Sequence, residues 1–208
     1  MRKKGSRAII ALLTTLFVAD AAASCFWSHI DNKVSYDASG IWSASAYRGV
    51  LTAATAVTMA GAIWEGSKTR LGKTMWQAMD SEAIAGAAAE VGKRIFTRVR
   101  PGEQDDPCLW FKGNGHHSFP STESALAAGL VSPYIFEYAK EYPATYGLML
   151  LPLYVGVGRI KNHAHWQSDV IAGWAIGGLT GWYAHGRETP LFIQILPDGF
   201  QVGLKMKF

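Results

Sequence analysis

The stretch His165-Trp-Gln-Ser-Asp169-Val-Ile-Ala-Gly-Trp-Ala-Ile-Gly-Gly-Leu-Thr-Gly-Trp-Tyr-Ala184 decides the fold. From Gln167 onward it is helix-length, and after Asp169 it carries no charge. Its bulk comes from Trp, Ile and Leu, interleaved with Gly and Ala. A helix with no polar face packs inside a bundle or against a membrane. It is shorter than the roughly 20 apolar residues that a membrane span needs.

Working outward, Lys161-Asn162-His163 breaks the chain before this helix, and Ala144 to Val157 reads as another helix, rich in Leu and Tyr. Ser121 to Tyr138 reads as a third. Residues 101–119 form a polar loop, Pro-Gly-Glu-Gln-Asp-Asp-Pro followed by Gly113-Asn-Gly115; a loop of this length inside a domain is usually functional. Asp80-Ser81 predicts the cap of a helix running to about Arg98 and stopped at Pro101, with a short helix over Lys73–Met79 before it. Gly49 to Trp64 is a charge-free helix-length stretch, and residues 26–47 are a turn-rich lead-in. At the other end, Phe192–Leu196, Pro197-Asp198-Gly199 and the alternating Val202, Leu204, Met206 and Phe208 read as a β-hairpin. The fold class is all-α: a bundle of about five to six helices with a short C-terminal β-hairpin, as one domain over 25–208.

Composition agrees. The chain has 208 residues, 49% hydrophobic and 17% charged, which excludes a disordered chain. Two cysteines exclude a disulfide-dense scaffold and a four-cysteine zinc site. The net charge of +4 is mostly a property of the first seven residues, where Arg2, Lys3, Lys4 and Arg7 sit; the rest is nearly neutral and shows no basic stripe for nucleic acid. That basic start, the apolar run Ala8–Ala19 and the small residues Ala21–Ser24 read as an export signal over 1–24. A retained anchor and an acylated Cys25 are the alternatives. Export implies a periplasmic or secreted, oxidising location, in which Cys25 and Cys108 can pair.

Three separated clusters bear on chemistry. Lys93 and Arg100 are two helical turns apart and can share one face. Ser118-Phe-Pro-Ser121-Thr122-Glu123 opens a helix, whose unpaired N–H groups suit a phosphate. His165 and Asp169, four apart, can meet on one helix face, where the carboxylate would orient the imidazole as a nucleophile; Arg159 lies just before them. Taken singly, these are equally read as a solvated face, an ordinary cap and a surface pair.

Together, Lys93-x6-Arg100-Pro101, Ser118-Phe-Pro-Ser121 and Arg159-x5-His165-x3-Asp169 resemble the three ordered motifs of the type-2 phosphatidic acid phosphatase superfamily. That superfamily comprises membrane lipid phosphatases, soluble bacterial class A acid phosphatases and vanadium haloperoxidases. The resemblance implies phosphate-binding roles for Lys93, Arg100, Arg159 and Ser121, with Thr122 beside them. It implies His165 as the nucleophile that forms a phosphohistidine and Asp169 as its orienting carboxylate, with no metal and no cofactor. Gly158 stands where a serine often precedes the third-motif arginine.

One departure matters. The second motif usually continues Gly-His, and that histidine protonates the leaving group; here Thr122-Glu123 stands there. Glu123 is the first candidate for the acid, although nearby cations would lower its pKa. His116 or His117 on the preceding loop are the alternatives, and His163 is also near. The expectation is an exported phosphatase for phosphate monoesters or lipid phosphates and pyrophosphates, with a membrane surface as a further partner. The alternatives are a non-catalytic phosphate or head-group binder and, remotely, a vanadate-dependent haloperoxidase. The oligomeric state is left open.

Overall fold

Ser43 opens the first helix by accepting a hydrogen bond from the Ala46 N–H, and Gly66, at φ 69°, closes it. This helix, α1, spans Ala44–Glu65 in the computed structural model, which describes residues 26–187, 194–196 and 199–201. The leader read over 1–24, and Cys25 with its pairing to Cys108, lie outside the described residues. Thr69 caps α2, Arg70–Phe96. The α1–α2 corner is tight: a Cβ on Gly72 would fall 2.0 Å from the Gly66 carbonyl oxygen. Ser121 caps α3, Thr122–Tyr138. A 3₁₀ segment, Pro143–Met149, leads into α4, Leu150–Lys161, and α5 spans Gln167–His185.

Two expectations are corrected. Asp80-Ser81 caps nothing; it lies within the single long α2, because its polar groups turn inward. Ser81 Oγ lies 3.1 Å from Thr180 Oγ1, and the neighbouring Glu82 accepts from Thr55 Oγ1 at 2.7 Å. The helix expected over Ala144–Val157 starts later and as 3₁₀, with Gly147 weakening its first turns. The predicted helices Ser121–Tyr138 and Gln167–Ala184 and the 101–119 loop stand where the sequence puts them. Gln194–Leu196 and Gly199–Gln201 pair antiparallel; the rest of the hairpin expected over 192–208 lies outside the described residues.

Glycine and alanine set the helix spacing. Gly173 faces Ser121 and Ser124, Gly177 faces Ala125 and Ala128, and Gly181 faces Ser132, so α5 runs parallel to α3 with their backbones in contact. Gly92 faces Pro120 and Gly129 faces Ser81, so α2 runs antiparallel to α3. Ala85, Ala89 and Ala125 fill the seam between them, while Tyr47, Leu51, Ala78, Ala127, Leu130 and Val155 form the larger core. This topology brings the N-termini of α1, α3 and α5 and the C-termini of α2 and α4 to one end. Among the described residues, no helix is long and apolar enough to cross a membrane.

Candidate active site

At that end, Thr97 adopts φ 37° and stops α2, and the chain leaves as an extended segment, Arg98-Val99-Arg100. Arg100 is therefore not on the helical face of Lys93, as the spacing had suggested. The two cations still converge, because the loop folds back. Lys93 Nζ donates to the His117 carbonyl at 2.9 Å, and Arg100 reaches the same oxygen at 3.4 Å.

Arg159, in the last turn of α4, is buried at the centre. It donates to the Tyr47 hydroxyl at 2.9 Å and lies 3.1 Å from Glu123 Oε1. Another of its nitrogens is 2.9 Å from Nε2 of His165. Gly158 makes this possible: a Cβ there would sit 2.7 Å from the Tyr47 ring, so the serine of related motifs would displace the tyrosine that steadies Arg159.

His165 has no exposed surface. It precedes α5 rather than lying on it, so it shares no helix face with Asp169. Asp169 is instead in the first turn and reaches back to the Trp166 N–H at 2.9 Å. Its Oδ2 is 3.6 Å from His165 Nδ1, beyond hydrogen-bond length but close enough for strong charge interaction. Ser118 Oγ donates to Oδ2 and Arg98 to Oδ1, each at 2.5 Å. Burial raises the Asp169 pKa, but His165, Arg98 and Ser118 outweigh it and hold the carboxyl below its ordinary range. Burial lowers the His165 pKa to about 4; Asp169 opposes this, while Arg159 and Lys93 reinforce it.

A cavity of 510 Å³ opens above Arg159, lined by Lys93, Arg100, Arg159, Thr122, Glu123 and His117. Arg48, Glu90, Arg94 and Leu126 complete its wall and were not foreseen. The one signal for Arg48 is its place as the last charge before the uncharged stretch Gly49–Trp64. Burial lowers Lys93 to about 8, with Arg100 adding to the effect. Ser121 does not reach the cavity wall: its hydroxyl is engaged with Ser124 at 2.9 Å as the α3 cap, and its N–H donates to the Asp169 carbonyl. Thr122 Oγ1 donates to Glu90 at 2.7 Å.

The surroundings of Glu123 oppose the role of acid expected for it. Burial alone would raise its pKa, but Arg159, His165 and Arg48 bring it down to about 2. Arg48 contacts Oε1 at 2.9 Å. With these cations around it, the Glu123 carboxyl is held in its ionised form. His116 pairs with Glu103 at 2.6 Å and does not line the cavity. His163 bonds to the Val34 carbonyl and closes a turn at φ 53°. His117 lines the cavity, and its Nδ1 is buried without a protein partner.

Sequence reasoning missed Arg98, Asp31, Ser168 and Trp166. Arg98, which the sequence marks only as the end of a helix, is wholly buried, with Trp110 4.2 Å from its guanidinium. Among the described residues, no group of three or more His, Cys, Asp or Glu is placed to hold a metal ion. Chemically, the end of the bundle offers a tetrahedral oxyanion the cations Lys93, Arg100 and Arg159 in one cavity; His165 does not line that cavity and lies buried, 2.9 Å from Arg159.

Comparison with known proteins gives the family. A family model described as the PAP2 superfamily matches residues 74–189. The lipid A 1-phosphatase of Porphyromonas gingivalis is 29% identical over 152 residues, 73% of this chain and 32% of that protein. The chain thus spans about a third of the length of this curated relative. Among solved structures, Aquifex aeolicus LpxE matches with a TM-score of 0.47 and 16% identity, covering 65% of this chain and 82% of that one.

Proposed function

This chain belongs to the PAP2 superfamily, and from that premise we propose that it is an exported phosphatase that hydrolyses lipid phosphates or other phosphate monoesters through a phosphohistidine. The observation that carries the reading is the convergence of Lys93, Arg100 and Arg159, from three separated stretches, on one cavity, with a guanidinium nitrogen of Arg159 2.9 Å from Nε2 of the buried His165.

In the proposed reaction the three cations bind the phosphoryl oxygens, and Arg159 exchanges Glu123 and His165 for the substrate. His165 Nε2 then attacks phosphorus in line; the N–P bond forms as the P–O bond to the alcohol breaks. The Nδ1 proton stays on the ring, and ionised Asp169 stabilises the positive charge that develops. His117 donates the proton that the leaving alkoxide needs. Water then attacks the phosphohistidine and gives its proton to His117 as the N–P bond breaks, releasing phosphate and restoring both the neutral His165 ring and the protonated His117. The sequence of steps uses no metal.

The lipid substrate is supported by the activity named for the Porphyromonas relative. It is also supported by uncharged side chains exposed along the bundle, Val57 and Trp64 on α1, Leu150 and Leu153 on α4, Leu179 and Trp182 on α5, which suit a membrane surface. The basic and apolar leader supports export to the periplasm or beyond. One observation favours a second reading, a phosphate or head-group binder without turnover: an ionised glutamate stands where relatives place their proton donor.

The test is turnover of p-nitrophenyl phosphate and of a long-chain lipid phosphate in detergent, with acid-labile phosphate trapped on His165. Turnover abolished in His165→Ala supports the proposal. Phosphate binding without hydrolysis of any ester supports the binder, and an active His165→Ala variant rejects the nucleophile.

A further inference from the structure

Behind Asp169 lies a buried row of charge that the proposed reaction does not touch. Arg98 donates to Asp169 Oδ1 at 2.5 Å through one nitrogen and to Asp31 Oδ2 at 2.6 Å through another. Asp31 comes from the lead-in segment, and its carboxylate also accepts the Ser168 N–H and hydroxyl, each at 2.7 Å. The side chains of Asp31, Arg98 and Asp169 have no exposed surface. A buried ion row is costly unless every charge is paired and bonded, and here one guanidinium serves two carboxylates. The row carries one surplus negative charge, and its inner end faces the imidazole.

We propose that Asp31 and Arg98 are positioning residues that fix Asp169 and, through it, tune His165. The inference rests on the reading of His165 as nucleophile. Arg98, Ser118 and the Trp166 N–H together occupy the Asp169 oxygens, so the carboxylate cannot turn and stays ionised at 3.6 Å from Nδ1. The other charged groups facing the ring are Arg159 from α4, Lys93 from α2 and Glu123 from α3. The two cations favour the neutral ring; the surplus charge of the row opposes them.

The row therefore works with a defined sign. Removing the Asp31 charge in D31N leaves Arg98 wholly to Asp169, weakens the negative field at the ring and moves His165 titration to lower pH. Removing the Arg98 charge in R98Q leaves two carboxylates unbalanced and moves it to higher pH. Mere loosening of the fold would not push the two variants in opposite directions.

Histidine-ring NMR titration of the full chain measures this directly, with the acid limb of kcat/KM for p-nitrophenyl phosphate read in parallel. The His165 midpoint moves by about half a pH unit or more, down in D31N and up in R98Q. An unmoved His165 in folded D31N overturns the proposal, as do shifts of the same sign in both variants. If R98Q does not fold, D31N alone decides. Failure of the phosphatase reading is seen separately, as a wild-type chain without turnover or a fully active His165→Ala, and leaves the NMR result standing on its own.

Discussion

One guanidinium nitrogen of Arg159 lies 2.9 Å from Nε2 of His165. Arginine only donates, so Nε2 is the acceptor, and the ring is neutral with its proton on Nδ1, toward Asp169. The atom proposed to attack phosphorus thus carries an unprotonated lone pair, engaged by the same cation proposed to bind the substrate and released when Arg159 turns to the phosphate.

Acid should expose this arrangement. His165 is lowered to about 4, first by burial, whereas the unfolded chain takes up its proton near 6.5. A depressed folded pKa means the unfolded state binds more protons between those values, so stability is full above about pH 6.5 and falls as pH drops toward 4. The loss is about 3 kcal/mol over that window. Urea midpoints at pH 7 and 4.5 should therefore fall more for the wild type than for His165→Gln. Equal falls would show that His165 is not the buried neutral base described above.

Glu123 and His117 separate by leaving group. Glu123→Gln removes a carboxylate that occupies Arg159, so phosphate should inhibit more tightly, by several-fold, with alkyl and p-nitrophenyl esters affected alike. His117→Asn should reduce alkyl phosphate hydrolysis by about 100-fold or more and barely alter p-nitrophenyl phosphate, whose leaving group needs no proton. A selective loss on alkyl esters in Glu123→Gln would return the acid role to Glu123.

Lys93 sets the alkaline limit of binding. Burial, then Arg100, brings it to about 8, against Glu123 and Glu90. The charged form binds phosphate, so the inhibition constant should weaken about fivefold between pH 8 and 9. Lys93→Arg keeps its charge and should flatten that rise. A slope identical in both proteins would remove Lys93 from the anion site.

Adjacent glycines of α5 should respond with opposite sign. A Cβ on Gly177 would lie 2.5 Å from both the Ala125 carbonyl oxygen and the Gly129 nitrogen, whereas one on Gly178 meets nothing within 4 Å. Gly177→Ala should destabilise by about 1–3 kcal/mol or more as α3 and α5 are forced apart. Gly178→Ala should be neutral or stabilise by up to about 1 kcal/mol through helix propensity. Thermal melts of the two variants check this, and a Gly177→Ala protein as stable as wild type would refute the close α3–α5 seam.

How much of this was legible follows from what each residue depends on. The helices over 121–138 and 167–184 are visible because their caps and apolar content are local, and the cavity cations because their motifs are. Arg98 and Asp31 were invisible: they lie 67 positions apart and sit in stretches that look like an ordinary basic face and a turn-rich lead-in. Nothing local tells an arginine that will be buried from Arg94, which stays at the surface. Asp80-Ser81 misled for a related reason. The pair has the composition of a cap, and only the neighbouring α5 reveals that Ser81 faces Thr180.

The parallel course of α3 and α5 has a thermodynamic consequence. Helices running the same way side by side set their aligned peptide dipoles against each other, and both positive poles fall at the shared end. A dianion resting there relieves that repulsion as well as filling the pocket. Occupancy should consequently register as heat resistance: inorganic phosphate or vanadate, by mass action, would raise the melting temperature even of a chain unable to turn over.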